Sequence, residues 1–235
     1  MKATFEHSED TASNIKTFWF KPEKAMRYVA GQFTELYLPH DHADKRGEKH
    51  WFTISSSPAQ GLISITSKFA IDRSSTFKQV LWSLQPGDEV TLADPMGDFV
   101  LPKNPAIPLL FAASGIGVTP VHSMVQYLQD TKEQRDITLL YGVRHAEDLA
   151  FSGLFSTVPR LHFTPIVKQP TADWQGETGS LDSTRILTSL SNKEGTLIYL
   201  SGPEFWVEKT VAELSKAGVP TENLITDYFH GYTQV

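Results

Sequence analysis

The chain of 235 residues carries 21 Lys and Arg against 27 Asp and Glu, a net charge of −6, so it offers no basic face for nucleic acid. It contains no cysteine, which excludes disulfides, thiolate metal sites and cysteine-ligated iron–sulfur clusters. Because its N-terminal segment is polar and acidic, unlike a signal peptide, we expect a soluble protein in the reducing environment of the cytoplasm.

About the first hundred residues read as short strands, rich in β-branched and aromatic residues and separated by Gly, Pro and charged turns. These strands are expected at 17–20, 32–38, 51–55, 62–67 and 89–93. Their spacing predicts an antiparallel β-barrel or sandwich. One helix interrupts them, because Phe77, Val80, Leu81 and Leu84 recur at helical spacing behind the hydroxyls of 74–76.

The segment 101–108 holds three prolines and no periodicity, which places a domain boundary there and predicts domains at 1–103 and 104–235. Beyond it, strands are expected at 109–113, 136–141, 161–167, 196–200 and 224–229. Helical stretches near Val121, Leu149, Ile186 and Val207 alternate with these strands. This alternation predicts an α/β domain with a parallel sheet and helices on both faces.

The stretch 109–128, LLFAASGIGVTPVHSMVQYL, organises the second half of the chain. An apolar strand leads into Gly115 and Gly117, which supply a tight turn with no Cβ to block a ligand. Thr119 is then expected as the N-cap of a helix and Pro120 as its first residue. The unpaired N–H groups and the positive dipole end of such a helix suit a phosphate.

An ordinary βα turn shows the same pattern, since Gly-x-Gly alone is a weak signal and Pro120 stands where the usual dinucleotide fingerprint has a third glycine. A membrane-spanning helix is excluded by Pro108, Pro120 and the two glycines, which break the uncharged stretch where such a helix would be continuous. We therefore expect no transmembrane segment.

Further motifs accompany the glycine turn: HWFTISSSP at 50–58, PMGDFVLP at 95–102 and SGPEFW at 201–206. In this order and with these separations they resemble the ferredoxin–NADP reductase family of flavoproteins, along nearly the whole chain. The resemblance implies an N-terminal barrel that binds FAD and a C-terminal domain that binds NADPH or NADH. In that family, hydride passes from the nicotinamide to the flavin.

The family's flavin motif, Arg-x-Tyr-Ser/Thr, falls on His50, Trp51, Phe52 and Thr53. It implies that Phe52 stacks on the isoalloxazine and that Thr53 hydrogen-bonds near its N5 edge. His50 replaces an arginine that pairs with the flavin phosphates, and a neutral imidazole is no bidentate clamp. A core Phe and a plain surface His are the alternatives.

The resemblance adds Gly97 to the flavin site and places the flavin pyrophosphate at the helix start formed by Ser75 and Thr76. Simple capping explains Ser75 and Thr76 equally well. The family's Gly-x-Gly-x-x-Pro turn, which binds the pyrophosphate of NAD(P)H, maps onto another set of residues. These are Gly115, Gly117, Thr119 and Pro120.

The family's Cys-Gly-Pro falls on Ser201, Gly202 and Pro203, which places Ser201 near the nicotinamide with a hydroxyl in place of the thiol. The C-terminal aromatics Phe229 and Tyr232 resemble the tail with which many members cover the other face of the flavin. Phe229 is alternatively only the last buried residue of a strand.

Arg144 follows the strand expected at 136–141, where this sheet type places the adenosine ribose. Its guanidinium would pair with a 2′-phosphate and favour NADPH, whereas a solvated Arg neutralised by Glu147 and Asp148 is the alternative. The segment 39–44, PHDHAD, looks superficially like a metal site. Because no third ligand is fixed nearby, we expect no metal there.

The sequence thus predicts an FAD-dependent NAD(P)H oxidoreductase that passes electrons to a separate redox protein, because the chain has no Cys-bound cluster to continue the path. One alternative is a reductase of a small molecule, such as a ferric complex, a quinone or free flavin. The other is a binding subunit that keeps the fold but lacks turnover, which the changes at His50 and Ser201 suggest.

Overall fold

The computed structural model describes residues 1–70 and 74–228. Within them, a six-stranded antiparallel sheet forms the N-terminal part and a six-stranded parallel sheet forms the C-terminal part. The predicted combination of an antiparallel β-domain and an α/β domain is confirmed.

The antiparallel sheet closes into a barrel. Its strands are β1 Lys2–Ala12, β2 Ile15–Pro22, β3 Phe33–Tyr37, β4 Lys49–Thr53, β5 Ile63–Lys68 and β6 Glu89–Leu92. They lie in the order β4-β3-β6-β1-β2-β5, and a bridge between Ile54 and Ile65 joins the two ends of this order. Alternation along each strand sends Phe18, Phe20 and Leu36 into a shared core, where each is at most 1% exposed.

The helix α1, Thr76–Ser83, follows the barrel strand β5 as predicted. Phe77 and Leu81 lie one helical turn apart, and both are fully buried in the same core as the barrel strands. The apolar face of α1 therefore packs against the barrel interior, and its N-terminus is fixed relative to β4.

In the parallel sheet, the direction in which successive strands are added reverses at the strand that precedes the glycine turn. Its strands are β7 Leu109–Ser114, β8 Ile137–Val143, β9 Leu161–Val167, β10 Glu177–Thr178, β11 Leu197–Ser201 and β12 Leu224–Asp227. Its helices are α2 Thr119–Thr131, α3 Ser152–Phe155, α4 Ser183–Thr188 and α5 Glu204–Lys216. The order β10-β9-β8-β7-β11-β12 places β7 between β8 and β11, and α/β proteins bind ligands at the carboxyl ends of strands at such a point.

The sequence did not predict the first strand. Most of β1 is polar, and in its burial pattern only Ala3 and Phe5 are buried. The strand forms because it pairs with β2 over most of its length, including Phe5 with Phe20 and Ala12 with Ile15. Backbone pairing of this kind leaves little hydrophobic periodicity to detect.

Two helix predictions were wrong in detail. The helix α2 begins at Thr119 with Val118 as its cap, one residue earlier than predicted, because a 3₁₀ turn over Gly115–Val118 already leads into it. Near Leu149 the chain forms a 3₁₀ turn, Ala146–Asp148, and the one-turn α3 rather than a full helix. The described segment 93–108 holds no helix or strand, and the domain boundary inside it stays a prediction.

The two halves are joined by hydrogen bonds from α2 to the loop after β4. His122 Nδ1 lies 2.8 Å from the carbonyl oxygen of Ser55, and Ser123 Oγ donates to the carbonyl oxygen of Ser56 at 2.6 Å. Burial lowers the pKa of His122 to about 4, so the ring is neutral and Nδ1 carries the proton that is donated. This contact fixes the end of β4 relative to the parallel sheet.

Candidate active site

The glycine turn connects β7 to α2. Gly115 has a φ of +57°, and a Cβ at this residue would meet no atom within 4 Å. At Gly117 a Cβ would lie 2.5 Å from the carbonyl oxygen of Ser201 and 2.6 Å from the nitrogen of Gly202. Gly117 is therefore required by its contact with the loop after β11, and its predicted role in the approach of a ligand stays a prediction.

The start of α2 carries no side-chain cap. Neither Ser114 before the 3₁₀ turn nor Val118 before the helix provides a side-chain cap hydrogen bond. Thr119 instead donates its hydroxyl to the carbonyl oxygen of Ile116 at 3.1 Å, and Pro120 is the second residue of the helix. The positive end of the α2 dipole is thus left for an anion at the turn.

A groove of about 780 Å³ runs along the carboxyl ends of β7, β8 and β11. Arg144 lines it, and its Nε donates to Oε1 of Gln169 at 3.1 Å. Lys168 and Lys209 line the same groove, as does Pro203 at the start of α5. Its volume falls in the range of small-molecule sites. Its walls combine the uncapped glycine turn with both cationic and acidic side chains, the latter being Asp148, Asp182 and Glu213.

A serine–aspartate pair, with Ser201 buried and Asp227 partly buried, lies next to Gly117. Ser201 and Asp227 are register partners at the carboxyl ends of β11 and β12, and Ser201 Oγ donates to Asp227 Oδ2 at 3.2 Å. Burial raises the pKa of Asp227 to about 6, with a further contribution from the negative charge of Asp98. Sequence reasoning gave Asp227 no role, although its place at the end of the last strand was the available signal.

Thr53 and Gly97 of the barrel both adjoin Phe33. Thr53 pairs with Phe33 across β4 and β3, and a Cβ on Gly97 would lie 2.9 Å from the Phe33 ring. Asp98 follows Gly97 directly and is close enough to raise the pKa of Asp227. We call the region between Asp98 and the Ser201–Asp227 pair the cleft, and Thr53 is connected to it through Phe33 and Gly97.

The other residues of the predicted flavin motif lie on two faces of β4. Phe52 points into the barrel core, where it is 6% exposed and stacks on Phe77 with ring centroids 5.9 Å apart. His50 lies on the same face, 4.3 Å from the Phe77 ring, and its buried Nε2 has no hydrogen-bond partner among the described residues. Trp51 lies on the opposite face, half exposed, and stacks on Phe33 at 5.4 Å.

Other groups of the chain accept hydrogen bonds from the backbone N–H groups at the start of α1. Ser75 is its N-cap and accepts from the backbone N–H of Lys78 at 3.2 Å. The backbone N–H of Thr76 donates to Asp44 Oδ2 at 3.1 Å, and Thr76 Oγ1 lies 3.0 Å from Nε2 of His40. A carboxylate of the chain thus occupies the helix start predicted for the flavin pyrophosphate.

Two predicted contacts, Phe229 and Tyr232, lie outside the described residues. Within the described ranges there is no cluster of His, Cys, Asp and Glu suited to a metal ion, since His40 and Asp44 contact Thr76 instead. Across 1–70 and 74–228, the helices are also too short or too polar to cross a bilayer.

Residues 111–211 match the model of the oxidoreductase NAD-binding domain. The chain is 22% identical to flavohemoprotein A of Dictyostelium discoideum, over 96% of this chain and 59% of that protein. It is 29% identical to one component of the Na(+)-translocating NADH-quinone reductase of Neisseria meningitidis, over 64% of this chain and 40% of that component. The chain thus spans about half the length of these curated relatives.

Among solved structures, the chain is similar to a ferredoxin NADP+ reductase from Neisseria gonorrhoeae with bound FAD and NADP. The TM-score is 0.80 at 16% identity, and the match covers 97% of each chain. This similarity concerns the fold. It agrees with the family-model match and with the motifs at the glycine turn and at Ser201. The chain therefore has the fold of ferredoxin NADP+ reductase, and its residues 111–211 are similar to oxidoreductase NAD-binding domains.

Proposed function

We propose that this protein takes hydride from NAD(P)H onto FAD and passes the electrons to a separate redox protein. The observation that carries the proposal is the groove of about 780 Å³ at the carboxyl ends of the parallel strands, which the uncapped glycine turn lines. Gly117 of this turn packs against Ser201, and the charge of Asp98 in the barrel segment beside Gly97 reaches Asp227, the partner of Ser201. A dinucleotide in the groove would thus extend toward the barrel with one end.

Bound FAD supplies the redox chemistry, since a flavin accepts two electrons as hydride and can release them singly. The task of the chain is to place the nicotinamide. The glycine turn and the start of α2 bind the NAD(P)H diphosphate through backbone N–H groups and the helix dipole. Gly117 lets this turn lie against Ser201 and Gly202, so the bound nucleotide is directed toward the cleft.

The polar groups at the cleft orient the reacting rings and hold a proton. Thr53, which is 5% exposed, donates its hydroxyl to the ring edge of the flavin in this proposal. Asp227 has a pKa near 6, so its Oδ2 exchanges a proton close to neutral pH. Ser201 positions that carboxyl through its hydrogen bond, a contact that the family's cysteine would make more weakly.

The test is an anaerobic titration of the purified, flavin-loaded protein with NADPH and with NADH, followed by the visible absorbance of the flavin. Bleaching with about one equivalent of nucleotide per flavin is expected for a two-electron hydride transfer. A protein that binds no flavin, or whose flavin keeps its colour, would contradict the proposal and favour a binding subunit.

We propose NADPH as the preferred donor. Arg144 and Lys168 lie at the end of the groove formed by β8 and β9, where this sheet type places the adenosine ribose. Their charges suit a 2′-phosphate. Arg144 is hydrogen-bonded to the neutral Gln169, which leaves its positive charge uncompensated by that contact.

The acceptor in this proposal is a one-electron carrier protein, because the cysteine-free chain cannot hold an iron–sulfur cluster through thiolates. A quinone is the second candidate, favoured by the similarity to a component of a protein named NADH-quinone reductase. Steady-state NADPH oxidation with a ferredoxin or with a water-soluble quinone as acceptor separates the two. Turnover with the quinone and not with the ferredoxin would contradict the protein acceptor and identify a small molecule as the acceptor.

A further inference from the structure

A second cavity, of about 480 Å³, lies where the barrel meets the C-terminal end of α2, and we name it the rear cavity. Among the described residues, none lines both this cavity and the groove at the carboxyl ends of the strands. Tyr127, on its wall, lies eight residues after Thr119, about 12 Å further along α2. The rear cavity is lined by Tyr28, Val29, Ala30 and Pro58 of the barrel, by 101–103, and by Tyr127, Glu133 and Arg135.

Arg135 is a buried cation whose hydrogen-bonding capacity is only partly used. Its side chain is 5% exposed, and Nε and Nη2 both lie 2.6 Å from Oε1 of Glu133. The opposite nitrogen, Nη1, is 3.5 Å from the carbonyl oxygen of Asn104, which is longer than a usual hydrogen bond. Because a guanidinium carries five N–H donors, this end of Arg135 can still donate to an acceptor in the cavity.

Two further donors line the rear cavity without a hydrogen-bond partner among residues 1–70 and 74–228. They are the hydroxyl of Tyr127 and the ammonium group of the exposed Lys103. The charged lining residues are Arg135 and Lys103 against Glu133, a surplus of one positive charge on a chain whose net charge is −6. These donors and this charge suit a ligand with acceptor oxygens and a single negative charge.

The remaining wall is apolar and is held in place by the packing of the two halves. Val29 is 53% exposed. The Tyr28 hydroxyl already bonds to Ser56, 2.9 Å from its Oγ, so the ring of Tyr28 is the part left for a ligand. A Cβ on Gly31 would lie 2.5 Å from the Cε of Met124, so the loop that carries Val29 lies directly against α2. The cavity is therefore formed before any ligand binds, as is usual for small-molecule sites of this volume.

We propose that the rear cavity binds a small aromatic monocarboxylate. Its carboxylate accepts from Nη1 of Arg135 and from the Tyr127 hydroxyl, and its ring contacts the apolar wall around Val29. Because both the barrel and α2 line the cavity, the ligand contacts both halves of the molecule and stabilises the folded chain by mass action. This site does not depend on the proposed oxidoreductase function.

The test is isothermal titration calorimetry of the full chain as purified with 2-naphthoate, alone and with saturating NADP+. We expect saturable binding with a Kd below about 1 mM that NADP+ does not change, and a higher Tm in the presence of 2-naphthoate. The neutral isostere 2-naphthamide should bind about 10-fold more weakly, because it lacks the charge-assisted contact to Arg135. Inorganic phosphate should not displace 2-naphthoate, because it has no apolar body.

Variants of the wall locate the binding site. Arg135→Lys keeps a positive charge beside Glu133 but loses the planar guanidinium, and should weaken 2-naphthoate binding by about 10-fold. Val29→Asp adds a negative charge at an exposed position, leaves the core intact, and should weaken binding by at least about 10-fold. Lys103→Gln should cost about 3-fold, as expected for an exposed ion pair. Lys132→Gln is the matched control, because it removes the same charge from an exposed residue outside the cavity, and should change nothing.

The absence of saturable binding to the natural chain would overturn the inference. Displacement of 2-naphthoate by NADP+ would place it in the nucleotide groove, and equal affinity for 2-naphthamide or displacement by phosphate would contradict the ligand class. Unchanged affinity of Val29→Asp would also overturn the inference. A chain that binds 2-naphthoate but carries no flavin that NADPH bleaches would keep the rear site and lose only the proposed function.

Discussion

The helices α1 and α2 both begin beside a predicted diphosphate site, yet their N-termini differ. The start of α2 has no side-chain cap and follows a glycine turn at the mouth of a groove. The start of α1 is capped by Ser75 and covered by the loop between β3 and β4, whose Asp44 accepts from the Thr76 N–H. A helix N-terminus is therefore an anion site only when the surrounding chain has not already supplied the anion.

The carboxylates near these two helix starts, Asp44 and Asp227, differ in the same way. Hydrogen bonds and the charge of Arg46 hold the pKa of Asp44 well below its usual range, so Asp44 is a permanent anion near neutral pH. Burial raises the pKa of Asp227 to about 6, so its charge depends on pH. The start of α1 thus has a fixed negative charge beside it, and the nucleotide side has a titratable one.

The largest expected effect comes from the barrel side. Phe52→Ala removes a ring that stacks on Phe77 in the core and should lower the free energy of unfolding by about 3 to 5 kcal/mol. Trp51→Ala is the matched variant on the exposed face of β4 and should cost less, because half of its surface is already exposed. Urea unfolding of the flavin-free proteins measures both values.

Flavin retention in the same variants shows which ring of β4 stacks on the flavin. The sequence predicts Phe52, and the loss of such a contact corresponds to about 1 kcal/mol beyond burial. If Trp51→Ala releases the flavin while a conservative Phe52→Leu retains it, the platform is Trp51, and the assignment of Phe52 is wrong.

The next effect concerns the open helix start. Gly117→Ala places a methyl group 2.5 Å from the carbonyl oxygen of Ser201, and backbone on both sides has to move. We expect a loss of about 1 to 3 kcal/mol of stability and a higher KM for both nucleotides. Gly153→Ala is the control, because a Cβ there meets no atom within 4 Å. Equal stability of both variants would show that the glycine turn is not packed against Ser201.

The local parts of this site were predictable from the sequence. The strand, the glycine turn and α2 are contiguous, and their pattern alone gave the element order and the place of the groove. The pairing of Ser201 with Asp227 was not predictable, because it depends on β12 lying beside β11 in one particular register. No local pattern encodes that register.

The sequence did not predict the contact between Asp44 and Thr76 for the same reason. Asp44 and Thr76 are distant in sequence and meet only because β4 and α1 pack in the same core. Alternation along β4 does require that His50 and Phe52 share a face. This alternation does not show whether the shared face contacts the core or a ligand. The face lies in the core because β4 pairs with β3 in the register that places His50 opposite the buried Leu36.

A smaller effect tests the cationic end of the groove. Arg144→Ala removes a charge-assisted contact to a 2′-phosphate, worth about 1.5 to 3 kcal/mol, and should raise the KM for NADPH by about 10- to 100-fold. The KM for NADH and kcat should stay nearly unchanged, which is the signature of lost uniform binding. Arg160→Ala is the control, since Arg160 pairs with Asp136 away from the groove. An equal rise for both nucleotides would contradict the assignment.

The smallest effect concerns the titratable carboxylate, Asp227. Its pKa is about 6 in the folded chain and about 4 when unfolded, so the folded state binds the proton more tightly. The stability that this group contributes is fully present below pH 4 and is lost as the pH rises through 6. The loss amounts to about 2 kcal/mol between these limits, because burial penalises the charged form.

Asp227→Asn removes this titration while keeping the size of the side chain. The difference in unfolding free energy between variant and natural chain should therefore shift in favour of the variant by about 2 kcal/mol between pH 4 and pH 7. Ser201→Ala removes the hydrogen bond that lowers the pKa of Asp227. When Asp227→Asn is compared with Asp227 in the Ser201→Ala chain, the difference in unfolding free energy should therefore continue to change up to a higher pH. Urea unfolding at a series of pH values measures both curves. A difference that is constant with pH would mean that Asp227 titrates normally, and both carboxylates, Asp44 and Asp227, would then carry a fixed negative charge near neutral pH.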